Sequence, residues 1–170
     1  MKYLILVVLL CSTQYVQAQT ESKQDTMPVL ELFTRANIEA DVAKYKWYQG
    51  TYNWYTPKAE LVNKLKPYAN ELTVTIYAGS WCEDTQAELP RFYKLADQIG
   101  IPKSKIALIG LDKARKDFSG TRIRADVQKL PTFVIDRRRN NETVEIGKII
   151  EHPIKNFELD LLELILNSDK

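Results

Sequence analysis

The chain has 170 residues, of which 45% are apolar and 27% charged, with a formal net charge of +2. That length suits one packed domain, and the near balance of charge argues against general nucleic-acid binding. One histidine and two cysteines leave no credible zinc or haem site, so no metal or cofactor is expected.

Residues 1–18 carry the pattern of a secretory signal peptide, with Lys2 as the charged start, Tyr3 to Leu10 as the apolar run and Val16-Gln17-Ala18 as a small-residue cleavage site. That run is too short to span a bilayer, and no later stretch approaches the roughly 20 apolar residues that a membrane helix needs. Cys11 follows the bulky Leu10, whereas lipid-modified cysteines follow a small residue, so the reading is removal with the signal rather than a lipid anchor. The protein is therefore expected to be periplasmic or secreted. Its mature form would start at Gln19 and hold one cysteine, Cys82, with no internal disulfide partner.

Residues 19–27 are polar and read as a flexible lead-in. From Pro28 to about Leu65 the spacing is helical, which predicts an N-terminal helical extension over residues 28–66. Val29, Leu32, Phe33 and Ala36 share one face, and Tyr45, Tyr48, Tyr52 and Tyr55 recur at steps of three and four. Thr56-Pro57 reads as an N-cap with proline at the first helical position, opening a further helix through Leu61, Val62 and Leu65. The aromatic stripe is read as packing against a sheet.

Leu72, Val74 and Ile76 then alternate with Thr73, Thr75 and Tyr77, as a strand requires, and Gly79-Ser80 ends the run. Leu89, Phe92, Leu95, Ala96 and Ile99 keep helical spacing, so Cys82 falls at a strand-to-helix turn. The unpaired N–H groups of a first helical turn carry partial positive charge and favour a thiolate there. Glu83 and Asp84 suit the same dipole but repel a neighbouring thiolate.

The run Trp81-Cys82-Glu83-Asp84-Thr85, with Pro90 eight residues after the cysteine, resembles the W-C-x-x-C active site of the thioredoxin superfamily. Thr85 stands where the second, resolving cysteine would be. The likeness is greatest to secreted bacterial thioredoxin-like proteins with W-C-x-D-[ST] at this turn. Further along, Ile106 to Leu111 reads as a strand covered on both faces. Leu130-Pro131-Thr132-Phe133-Val134-Ile135, with Val127 just upstream, resembles the family's cis-proline loop and the strand after it. Residues 137–141 are read as separating that strand from a hairpin partner, Val144 to Ile150. Pro153 is read as opening the last helix, whose buried face is Phe157, Leu161, Leu164 and Ile165.

The resemblance covers residues 70–167 and implies an α/β, thioredoxin-like three-layer sandwich with a mixed central sheet behind the N-terminal extension. It implies Cys82 as the nucleophile and a groove lined by Trp81, Glu83, Asp84, Leu130, Pro131 and Gly147. Thr85 is placed to donate a hydrogen bond to the Cys82 thiolate but cannot resolve a mixed disulfide. The implied activity is monothiol thiol–disulfide exchange with protein or low-molecular-weight disulfides, which needs an external thiol reductant. The alternative is a redox-silent thioredoxin fold serving as a protein-binding or chaperone-like module. Ile76 occupies the place of thioredoxin's buried acid, and His152, beside Pro153, reads as a loop residue. Between Lys113 and Arg139 lie nine basic and three acidic residues, read as solvated loop.

Overall fold

A computed structural model describes residues 33–114 and 126–170. The signal segment, Cys11, the lead-in and the start of the helical extension at Pro28–Leu32 lie outside the described residues. The central sheet has four strands among the described residues. Strand β1 (Leu72–Ala78) pairs in parallel with β2 (Ile106–Gly110) and antiparallel with β3 (Thr132–Arg139), which pairs antiparallel with β4 (Glu142–Ile150). The sheet is therefore mixed, as expected.

Helix α4 (Glu83–Ile99) provides the crossover between the two parallel strands, and α5 (Phe157–Asn167) returns to the same sheet face. Leu72, Val74 and Ile76 of β1 and Phe133 and Ile135 of β3 form that face's buried core with Leu89, Phe92, Leu95 and Ala96 of α4. Phe133 joins the two helices: its ring centroid lies 4.8 Å from Phe92 and 5.1 Å from Phe157. Such offset and edge-on pairs add to the area they bury. A second, smaller cluster of Tyr77, Leu111, Val127, Leu130 and Val134 occupies the opposite face, with Cys82 at its margin. The result is a four-stranded mixed sheet flanked by helices, a thioredoxin-like sandwich.

Within the N-terminal extension, three short helices replace the near-continuous run: α1 (Arg35–Ala40), α2 (Lys46–Trp54) and α3 (Ala59–Leu65). Asp41 breaks the first, leaving helical geometry at ψ 76° while its carboxylate accepts from the Lys44 N–H at 2.9 Å. The Thr56-Pro57 start is corrected as well. Lys58 is the N-cap of α3, and its N–H is satisfied from a distance by Glu158 Oε1 at 2.8 Å. The aromatic stripe packs on α4 rather than on the sheet: Tyr48 lies edge-on to Tyr93 and stacks with Tyr52, while Trp54 is 74% exposed.

The hairpin and last helix also differ from expectation. Strand β3 runs through Arg139, and the turn is only Asn140-Asn141, both at positive φ, which is the twist that a tight hairpin needs. Arg137 is therefore a strand residue and is buried. Asn156, not Pro153, starts α5, its side chain accepting from the Leu159 N–H at 2.9 Å.

Candidate functional site

Strand β1 ends at Ala78, and the next four residues turn the chain into α4. Gly79 lets the turn close, because a Cβ there would stand 2.6 Å from Trp81 Nε1. The indole N–H donates to the Leu111 carbonyl at 2.9 Å, so Trp81 is pinned to the end of β2 while 41% of it stays exposed. Cys82 is the N-cap of α4, at φ −90° and ψ 124°. Its N–H donates to the Gly79 carbonyl at 2.9 Å, and its own carbonyl accepts from Gln86 at 3.0 Å. The first-turn amides of a 17-residue helix thus start at the cysteine.

Across from Cys82, the Leu130–Pro131 peptide bond is cis, as the resemblance implies. The thiol is free, half-buried, and donates to the Leu130 carbonyl at 3.5 Å. Leu130 and Pro131 are themselves buried, so their side chains back the cysteine rather than form an open contact surface. Pro131 is held in turn by the Glu151 N–H, 2.7 Å from its carbonyl. Glu83 and Asp84 are exposed on the first turn of α4.

Two expected members of the site are placed differently. Thr85 is fully buried, and its hydroxyl oxygen accepts from the Gly79 N–H at 3.4 Å, so this bond braces the strand-to-helix turn instead of serving the thiol. Gly147 of β4 pairs with Ile135 and lies four residues before Glu151, which follows the strand and meets Pro131. At φ +150° it makes room for α5, since a Cβ would meet Leu164 Cδ2. The structure thus brings Trp81, Cys82, Glu83, Asp84, Leu130 and Pro131 together and leaves Gly147 apart.

Reading the sequence alone missed Glu88. It lies on α4 one turn after Asp84, is 7% exposed, and accepts from Arg91 Nη1 at 3.0 Å through one oxygen. Its other oxygen and Arg91 Nε are buried without a partner. Burial pushes the Glu88 carboxyl above its ordinary value, Arg91 and His152 oppose that, and Asp84 adds to it. An i, i+4 acidic pair at a helix start was visible as a spacing, but its burial was not. Among the described residues, no group of three His, Cys, Asp or Glu side chains is arranged to hold a metal ion, and no helix is long and apolar enough to cross a membrane.

The fold is shared with a protein of unknown function from Pseudomonas aeruginosa, whose crystal structure aligns with a TM-score of 0.51 at 16% identity, over 80% of this chain and 88% of that one. The fold is what this likeness shows. An HIV epitope-scaffold aligns at a TM-score of 0.46 and 17% identity over 79% of this chain and 87% of its own, and a Plasmodium falciparum thioredoxin at 0.31 and 17% over 56% and 73%. No family model and no curated protein matches the sequence.

Proposed function

We propose that this is an exported protein that carries out monothiol thiol–disulfide exchange through Cys82. The observation that carries the reading is the half-exposed free thiol at the N-cap of α4, 3.5 Å from the carbonyl of the residue before a cis-proline. In the first step the Cys82 thiolate attacks one sulfur of a substrate disulfide. A new S–S bond joins Cys82 to that sulfur while the other leaves as a thiolate. Thr85 supplies no second thiol, so an external thiolate must attack the mixed disulfide, freeing Cys82 and taking the substrate sulfur with it. Glutathione represents the class of reductant required.

The test uses the full chain carrying Cys11→Ser, so that Cys82 is the sole thiol. Incubated with an oxidised peptide disulfide, it is expected to form an adduct that persists for hours, disappears with glutathione and is absent from Cys82→Ser. Thr85→Cys is expected to shorten the adduct's lifetime. If no adduct forms at Cys82, thiol exchange is abandoned. The second reading, a redox-silent binding module, is favoured by Thr85, whose buried hydroxyl braces the turn rather than serving the thiol, and an inert Cys82 would leave it standing.

A further inference from the structure

Glu151, the residue after β4, has the backbone of a strained turn. Its φ of 61° lies in the left-handed region that favours glycine, and the His152 N–H donates across it to the Ile150 carbonyl at 2.8 Å. A turn closed in this way around a positive φ is rare, and strain of that kind persists only where the surrounding contacts hold it. Here the contacts run to the loop opposite Cys82. The Glu151 N–H donates to the Pro131 carbonyl at 2.7 Å, and the Glu151 carboxylate accepts from Lys129 Nζ at 2.6 Å. One residue thus holds both chain neighbours of Leu130. The buried Thr132 closes the same loop, its hydroxyl donating to the Lys129 carbonyl at 2.7 Å. What this bracing aims is the Leu130 carbonyl, which accepts from the Cys82 thiol at 3.5 Å.

Resting on the thiol-exchange reading, we propose that Glu151 is a positioning residue for Cys82: by gripping Lys129 and Pro131 it keeps the Leu130 carbonyl on the thiol and so holds the resting sulfur in its protonated form. A hydrogen bond accepted from the neutral thiol favours it over the thiolate, which is the form that attacks a disulfide. Glu151 acts on the sulfur through that carbonyl. The carboxylate half of the grip is a partly exposed ion pair, so its loss corresponds to about a threefold rise in the rate of a thiolate reaction.

The experiment uses the full chain with Cys11→Ser, so that Cys82 is the sole thiol. The infrared S–H stretching band reports the hydrogen bond from the thiol, and alkylation by iodoacetamide at neutral pH, in which the sulfur bonds to carbon as iodide leaves, reports the thiolate. Glu151→Gly removes the carboxylate but suits the positive φ, and Lys129→Met removes the same pair from the other side. Both variants should move the band toward that of a free thiol and speed alkylation about threefold, while the double variant should go no further than either alone. Lys129→Arg should keep the parent's band and rate. Because glycine relieves the turn, the melting temperature of Glu151→Gly should not fall. An unmoved band and rate in both single variants, or a fall in melting temperature with the band unmoved, would overturn this inference and leave thiol exchange in place. The expected band and rate changes, in a protein that forms no adduct with a peptide disulfide, would remove the exchange reading and leave the role of Glu151 standing.

Discussion

At the scale of the residue, the turn around Cys82 is built on side chains that do no chemistry. Thr85 is buried beneath the turn, and its hydroxyl oxygen is an acceptor for the Gly79 N–H. Thr85→Val keeps the shape but leaves that amide unpaired in the interior, which should cost about 1 kcal/mol in denaturant unfolding, whereas Thr85→Ser should cost less than half as much. A thermally neutral Thr85→Val would mean that the bond is unimportant. Glu88 presents the opposite case. Its folded-state value is raised, so the native protein holds this proton to higher pH than the unfolded chain does. The charged form therefore costs stability above the folded value. That cost disappears as pH falls through the folded value toward the ordinary 4.5. Glu88→Gln is accordingly expected to raise the melting temperature by roughly 2–4 °C at pH 7, equivalent to about 1 kcal/mol, with the gain fading as pH falls toward 4.5. Destabilisation at neutral pH would show that the Arg91 pair outweighs the orphaned oxygen.

At the scale of the element, the N-terminal helices are attached to α4 by a polar and aromatic clamp. Arg35 of α1 makes a bidentate bond to Asp97 of α4 at 2.8 and 2.5 Å, and Tyr52 of α2 donates to the same carboxylate at 2.6 Å. The Arg35 guanidinium also lies 4.5 Å from the Tyr93 ring centroid. Burial works against the charge on Asp97, yet the Arg35 and Tyr52 hydrogen bonds hold it below its ordinary 3.8. Burial and the bond to Asp97 push the Tyr52 hydroxyl up to about 12. Because the Asp97 value is lowered on folding, its stabilisation is present above pH 3.8 and is lost as pH falls from there through the folded value. Asp97→Ala should therefore cost about 2 kcal/mol at pH 7 and much less at about pH 2, and Arg35→Ala should add little in that background. Full additivity of the two substitutions would show that the clamp is not a unit.

At the scale of the whole molecule, Arg137 joins parts of the chain that are far apart in sequence. From β3 its guanidinium reaches Glu71, just before β1, at 2.7 Å. It also reaches the Ile165 carbonyl at 3.1 Å, the Ser168 hydroxyl at 2.9 Å and Asp169 at 2.8 Å, all at the end of α5. A cation there satisfies carbonyls that the helix end leaves unpaired. The carboxylates of Glu71 and Asp169 are partly exposed, so solvent weakens each pair, and Arg137→Ala is expected to cost about 2 kcal/mol, or roughly 4–8 °C in melting temperature. Lysine should rescue little of this, because a point charge cannot serve a fork of acceptors. Full rescue by Arg137→Lys would argue that charge alone matters.

The division between what was legible in the sequence and what needed the fold follows the range of the forces involved. Alternation in Leu72–Ala78, the glycine stop and the helical spacing after Leu89 are local signals, and they locate β1, α4 and Cys82 at the turn between them. The motifs around Cys82 and Pro131 likewise point to the two segments that the sheet then brings together, since β1 and β3 are neighbours. Local signals failed where a distant partner decides the outcome. Thr56-Pro57 looked like a helix start, but Lys58 is the N-cap of α3, and its N–H is satisfied by the carboxylate of Glu158, a hundred residues away. Arg137 looked like a loop arginine, because the groups that compensate its charge lie far away in sequence, at residues 71 and 165–169. Gly147 looked like a groove residue, because only the packing of α5 shows that its missing Cβ makes room for Leu164. Covalent neighbours and periodicity act within a turn or a strand and can be read from sequence order; burial, charge pairing and close approach depend on which surfaces meet, and tertiary structure alone decides that.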